Sequence, residues 1–315
     1  MQIFLARTQG FCAGVARAIQ TVEQALEAFG TPLYVFHEIV HNTSVVNNFK
    51  TRGVVFVDSI DPVPRGSRII FSAHGISPGI LAQARQKDLR TIDATCPLVT
   101  KVHHEAALFS ARRMHVILIG HQGHEEVMGT AGYVEPGLLH IVSTTRDIDR
   151  LDIPPHTTAA FITQTTLSVD DTRAMILKLR ARFPRLRGPE RDDICYATQN
   201  RQDAVRELAR LCVPSPDLKK TGIIVICGSP NSSNSNRLRE KGEHLGVTSI
   251  IVDHAGELDL DLLKNKRRVG ISSGASVPRH LVDGIVARIQ GAYTYATVTA
   301  FDNPEENIVF PLPRI

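Results

Sequence analysis

Val116-Ile-Leu-Ile-Gly120-His-Gln-Gly-His124-Glu-Glu126 is an apolar run that stops at a glycine and turns at once into histidines and carboxylates. A run without polar alternation suits a strand covered on both faces, as in a parallel sheet between helices. The same phrase recurs in Ile69-Ile-Phe-Ser-Ala-His74-Gly75, Ala159-Ala-Phe-Ile-Thr-Gln-Thr165, Ile223-Ile-Val-Ile-Cys-Gly-Ser229 and Val269-Gly-Ile-Ser-Ser-Gly-Ala-Ser276. Helical periodicity falls over Ala13 to Ala28, Thr100 to Arg113, Asp171 to Arg182, Asn200 to Leu211 and Pro278 to Ile289. Strands alternating with helices predict an α/β fold with mainly parallel sheets, and such sheets collect their functional loops at the carboxyl ends of the strands.

Three cysteines, Cys12, Cys96 and Cys195, stand 84 and 99 residues apart, and each opens a predicted helix. A helix N-terminus favours a thiolate by roughly 0.3–1 kcal/mol. The matching settings suggest three similar units meeting at one thiolate-lined centre. Structural zinc usually draws four ligands from close Cys-x-x-Cys pairs, and no such pair is present, so zinc is the weaker choice. Three widely spaced cysteines suit an iron–sulfur cluster that keeps one iron without a protein ligand. Cys212 and Cys227 end a helical pattern and an apolar run, and read as small core residues.

His41, His74 and His124 each follow an apolar run, where they suit hydrogen bonding to a phosphate, with added charge when protonated. Gly228-Ser-Pro-Asn-Ser232-Ser233-Asn234 and Ser272-Ser-Gly-Ala-Ser276 gather hydroxyls, amides and backbone donors before predicted helices. They read either as an anion cradle or as plain capping and turn chemistry. Glu126, two residues after His124, suits a proton donor beside an anion. Thr165 and Thr166 end another apolar run and suit either a substrate hydroxyl or the cap of the next helix, for which Ser168 is the better candidate. No phosphate-binding Gly-x-x-x-x-Gly-Lys loop and no Gly-x-Gly-x-x-Gly after a strand is present, so a diphosphate without a base fits better than a nucleotide.

The chain has 315 residues, 43% of them apolar, and 36 basic against 32 acidic residues, a net charge of only +4. That composition describes an ordinary globular protein of about two domains and gives no argument for nucleic acid. The basic run Arg180-Ala-Arg-Phe-Pro-Arg-Leu-Arg187 reads as a solvated face or as a docking patch for an acidic protein. The first residues resemble neither a signal peptide nor a membrane span, and five cysteines without short-range pairing fit a reducing compartment, so a cytoplasmic location is expected. The turn Asp152-Ile-Pro-Pro-His156, the stretch Pro184 to Pro189 and the segment Val213 to Lys220 are the expected seams.

Taken together, Gly10-Phe-Cys12-Ala-Gly14, Glu38-Ile-Val-His41-Asn42, Phe71-Ser-Ala-His74-Gly75, Asp93-Ala-Thr-Cys96-Pro, Thr163-Gln-Thr165-Thr-Leu-Ser-Val-Asp-Asp171, Asp193-Ile-Cys195-Tyr and Asn231-Ser-Ser-Asn-Ser-Asn236 resemble the 4-hydroxy-3-methylbut-2-enyl diphosphate reductase family. The likeness runs from Met1 to the Glu305-Glu-Asn-Ile-Val-Phe310 tail. It implies reductive removal of an allylic hydroxyl, giving isopentenyl and dimethylallyl diphosphates at the end of the non-mevalonate isoprenoid pathway. It also implies three α/β units in a pseudo-threefold arrangement around a central cluster: residues 13–96, 97–192, and 1–12 with 193–315.

By position, the resemblance assigns Cys12, Cys96 and Cys195 to a [4Fe–4S] cluster, and His41, His74, His124, Ser232, Ser233, Asn234 and Ser276 to the substrate, chiefly its diphosphate. Thr165 would meet the hydroxyl end and Glu126 would supply protons. Electrons would come from a ferredoxin or flavodoxin. Three features depart from the family pattern: Ala16 in place of an acidic residue, Pro230 in place of a common lysine, and a long Val213 to Lys220 segment. A non-redox lyase using the open iron as a Lewis acid, and a cluster-based sensor of an isoprenoid diphosphate, are the competing classes.

Overall fold

The computed structural model describes residues 1–213, 221–301 and 306–315. The excursion expected up to Lys220 therefore lies, from residue 214 on, outside the described residues, as does Glu305 of the tail motif. The chain begins with β1 (Gln2–Ala6), α1 (Ala13–Phe29), β2 (Leu33–Phe36), α2 (Thr43–Thr51), β3 (Val54–Val57), β4 (Arg68–Phe71), α3 (Pro78–Gln86), β5 (Arg90–Asp93) and α4 (Pro97–Ala111). It continues through β6 (His115–Ile119), α5 (Glu125–Ala131), β7 (Leu139–Val142), α6 (Thr145–Asp149), β8 (Ala159–Thr163), α7 (Val169–Arg182) and α8 (Tyr196–Cys212). The remaining elements are β9 (Gly222–Cys227), α9 (Ser233–His244), β10 (Ser249–Val252), β11 (Arg268–Ser273), α10 (Arg279–Ala292) and β12 (Thr297–Phe301).

These strands form three sheets, ordered β10-β9-β11-β1-β12, β3-β2-β4-β5 and β7-β6-β8. Every pairing is parallel. The chain divides into two compact units, one of Met1–Ala13, His41–Asn47 and Tyr196–Ile308, the other of Gly14–Val40, Asn48–Cys195 and Val309–Ile315. The first unit holds the five-stranded sheet, and the second holds the other two.

Two-sided burial explains why the apolar runs form strands. In β9, Ile223, Val225 and Cys227 share one core with Val282, Ile285 and Ile289 of α10, while Ile224 and Ile226 share another with Val205 and Leu208 of α8. The side-chain period of two thus feeds two hydrophobic layers at once. β6 repeats the arrangement, with Ile117 and Ile119 packing with Met175 and Leu179 of α7, and Val116 and Leu118 with Val102, Ala106 and Phe109 of α4. Cys212 and Cys227 are fully buried, and burial pushes both thiols up to about 12, as core residues should behave.

The stretch Pro184 to Pro189, expected as a seam, instead runs beside β8: Arg187 N donates to Ala159 O at 2.9 Å and Phe161 N to Arg187 O at 3.0 Å. Of the neighbouring arginines, Arg180, Arg185 and Arg187 are exposed, whereas Arg182 turns in to donate to the carbonyls of Ile148 and Leu151. Among the described residues no helix is long and apolar enough to cross a membrane.

Candidate functional site

Each of the three spaced cysteines stands where the sequence predicts it, immediately before a helix: Cys12 before α1, Cys96 before α4 and Cys195 before α8. All three are thiols rather than halves of disulfides, and all are partly exposed, unlike Cys212 and Cys227. Cys96 is the N-cap of α4 with Pro97 at the first helical position, and its side chain makes no capping hydrogen bond. The thiol stands at the positive end of the helix dipole.

In the second unit, the backbone of Gly14 closes on this cysteine. A Cβ at Gly14 would lie 2.5 Å from Cys96 Sγ and 3.2 Å from Cys96 Cβ, so only glycine leaves the sulfur its place. Cys96 N donates to Ala73 O at 3.0 Å, and Cys195 N to Thr165 O at 3.2 Å. The loop before Cys195 is anchored by Asp193, whose side chain is fully buried. Its Oδ2 accepts from Thr163 N at 2.7 Å and its Oδ1 from Lys101 Nζ at 2.8 Å. Lys101 also donates to Arg191 O and lies 3.4 Å from Glu105 Oε2. Burial, reinforced by Asp193, pushes Glu105 up to about 7.

α5 carries the acid and a histidine. His124 is its N-cap, and its Nδ1 accepts from Glu126 N at 3.1 Å. Glu126 is only 3% exposed. Thr165 N donates to Glu126 Oε1 at 2.6 Å, and Thr165 Oγ1 lies 3.0 Å from Oε2. Thr165 is thus not a helix cap. Ser168 takes that role for α7, accepting from Asp171 N at 3.2 Å, as expected. His74 follows β4, its ring standing edge-on to His124 with centroids 6.1 Å apart and its Nδ1 2.8 Å from Glu125 Oε2.

In the first unit, Cys12 N donates to Ala275 O at 3.1 Å. The turn before it takes Gly10 at φ +78°, and the fully buried Arg201 donates to Gly10 O at 3.0 Å and to Glu306 Oε1 at 2.7 Å. Ser232 caps α9 by accepting from Ser235 N at 3.3 Å, and Ser233 and Asn234 open that helix. Asn234 Oδ1 accepts from Ala275 N at 3.1 Å, and Ser276 Oγ donates to His41 O at 2.8 Å. The capping reading of these loops therefore holds for Ser232.

The same region also carries donors that the fold does not use. Among the described residues, Asn42 Nδ2, Ser272 Oγ and Ser273 Oγ are buried without a hydrogen-bond partner. Buried polar groups left unpaired cost about 1–3 kcal/mol each, so these three donors are available to a ligand.

Sequence reasoning overlooked Glu125, His37, Gly14, Arg201, Asn42 and the Lys101–Asp193 pair. Glu125 carried a signal as a second acid at a helix start, and Gly14, Asn42 and Asp193 stand in the quoted motifs, but the partners of Glu125, Gly14 and Asp193 lie far away in sequence.

Residues 3–290 match the model of the family described as LytB protein. Over 312 residues the chain is 47% identical to the 4-hydroxy-3-methylbut-2-enyl diphosphate reductase of Neisseria meningitidis, covering 99% of this chain and 94% of that one. It is also 47% identical over 315 residues to the protein of the same name from Aromatoleum aromaticum, covering 99% and 97%. The solved structure of the E-1-hydroxy-2-methyl-but-2-enyl-4-diphosphate reductase from Plasmodium falciparum superposes with a TM-score of 0.93 at 36% identity, covering 99% of this chain and 95% of that one. A structure described as (E)-4-hydroxy-3-methyl-but-2-enyl diphosphate reductase, the terminal enzyme of the non-mevalonate pathway, gives a TM-score of 0.63 at 30% identity, covering 92% and 99%. With almost the whole chain matched in sequence and in fold, the protein belongs to the LytB family.

Proposed function

We propose that the chain reduces (E)-4-hydroxy-3-methylbut-2-enyl diphosphate, taking up two electrons and two protons, releasing the allylic hydroxyl as water and forming isopentenyl and dimethylallyl diphosphates. The observation that carries this reading is the near full-length likeness to reductases named for that substrate. Cys12, Cys96 and Cys195 would hold a [4Fe–4S] cluster, for which three partly exposed thiols at helix starts and the side-chain-free approach of Gly14 are a suitable donor set. When bound, the cluster supplies electrons one at a time and an iron open to the substrate oxygen.

The chain's own residues do the rest. His41, Ser232, Ser233, Asn234 and Ser276 would take the diphosphate, with the buried hydroxyls of Ser272 and Ser273 and the amide of Asn42 adding donors. His74 and His124 would add hydrogen bonds to the same substrate. Thr165 N holds Glu126 Oε1 as an acceptor and Thr165 Oγ1 donates to Oε2; a proton taken up by Glu126 would sit on Oε2, with the hydroxyl bond reversed. That hydroxyl can accept from the acid and donate onward, which orients the proton toward the departing oxygen. Burial of Glu126 keeps water from short-circuiting the transfer.

The three-unit division, a cytoplasmic location and a ferredoxin or flavodoxin as donor belong to the same reading. Anaerobic incubation of the purified protein with the allylic diphosphate, with and without a chemical reductant, tests it. Products that require reductant support the reductase; products without reductant mark a lyase, and binding without products marks a sensor.

A further inference from the structure

Glu125 and Glu126 are consecutive in the first turn of α5, so roughly 100° of helical rotation sends their side chains different ways. Glu126 goes to Thr165. Glu125 reaches His74 instead, with Oε2 2.8 Å from Nδ1, while its Oε1 lies 3.9 Å from His37 Nδ1. His37 Nδ1 in turn lies 3.2 Å from Asp58 Oδ1.

Acid, imidazole, acid and imidazole therefore alternate from the surface inward, with side-chain exposures of 95% for Asp58, 26% for His37, 22% for Glu125 and 14% for His74. His37 reaches its place at φ +59°, a conformation disfavoured for a residue with a Cβ, and its amide is tied to Val57 O at 2.8 Å. Ser72 Oγ also approaches His74 Nδ1, at 3.5 Å, but a carboxylate is the stronger acceptor. His124 stands edge-on to the same ring.

We propose that Glu125 is a positioning residue for His74: its carboxylate pairs with the imidazolium across the 2.8 Å contact to Nδ1, which keeps Nε2 protonated as a donor for the anionic end of the substrate. This rests on the assignment of His74 to the substrate. A carboxylate beside one nitrogen favours the doubly protonated ring, in which both nitrogens donate, so the pair offers an N–H to an anion while its own two charges cancel.

The test uses the cluster-loaded protein, purified without oxygen, and inorganic diphosphate as the probe. Glu125→Gln is expected to weaken diphosphate binding about tenfold and to raise KM by a similar factor with kcat within about twofold, because the lost contact serves ground and transition states alike. Glu125→Asp should recover most of the affinity. The nitrogen chemical shifts of His74, assigned through His74→Gln, should move in Glu125→Gln toward a tautomeric mixture.

Unchanged diphosphate affinity and His74 shifts in Glu125→Gln would overturn the proposal, as would equal losses in the Gln and Asp variants. If the wild-type protein binds inorganic diphosphate but leaves the allylic substrate unreduced, the proposed function fails and the dyad stands. A wild-type reductase indistinguishable from Glu125→Gln shows the reverse.

Discussion

Thr165 grips both oxygens of Glu126, its amide at 2.6 Å from Oε1 and its hydroxyl at 3.0 Å from Oε2, although the two residues are 39 positions apart. This clasp makes the role of the acid separable from the architecture around it. Glu126→Gln keeps the amide contact but has no acidic proton. We expect turnover to fall by about 10²–10⁴-fold, with iron content and inorganic diphosphate affinity unchanged. Normal turnover in this variant would refute the proton role.

Gly14 is a second point of leverage. Gly14→Ala drives a methyl group against Cys96 Sγ, so the thiol must leave its place or the two helix starts must move apart. The expected result is a folded protein, with a far-ultraviolet dichroism spectrum like the wild type, that holds less iron and sulfide and surrenders iron faster to a chelator. Full iron retention would show that Cys96 carries no ligand bond.

Ser272→Ala and Ser273→Ala should move stability and binding in opposite directions. Each removes a buried hydroxyl that has no partner among the described residues, so the ligand-free protein should be unchanged or more stable by up to ~1 kcal/mol in urea unfolding. Inorganic diphosphate should bind more weakly to the same variants. Weaker binding accompanied by lower stability would identify the hydroxyls as structural.

Glu105 gives the chain a pH signature. Its folded value is pushed up to about 7 from the usual 4.5, so between those limits the native state binds more protons than the unfolded state. The stability that Glu105 allows is complete below the unfolded value and declines as pH rises through the folded one. His103 works against it: burial pulls its value down to about 4, so its contribution grows with pH up to about 6.5. In urea unfolding of the metal-free protein, the advantage of Glu105→Gln over the wild type should increase from pH 5 to pH 7 and then level off. A difference independent of pH would show that Glu105 titrates normally.

The central strands were legible in the sequence because both their faces are buried. β9 and β8 are buried at every residue, and such runs have few alternative readings. The edges were not. β12 is exposed at four of its five positions, and in β5 only Ile92 is buried, so neither produces an apolar run. The helical periodicity after Cys96 and Cys195 becomes readable only at Thr100 and Asn200, three and four residues inside helices that start at Pro97 and Tyr196.

In the site, the thiols, imidazoles and hydroxyl-rich loops announced themselves by residue type. Glu125 with His74, Lys101 with Asp193 and Gly14 with Cys96 did not, because each is defined by a partner 51 to 92 positions away that only the fold supplies.

Every catalytic step above requires three cysteines to share one inorganic centre. Iron and acid-labile sulfide per chain in the anaerobically purified protein test this most directly. About four of each, with the broad absorption of an iron–sulfur cluster, is expected, and replacing any one of Cys12, Cys96 or Cys195 by Ser should lower both while Cys212→Ala should not. A preparation with zinc and no labile sulfide, or one whose cluster survives loss of all three thiols, would contradict the account.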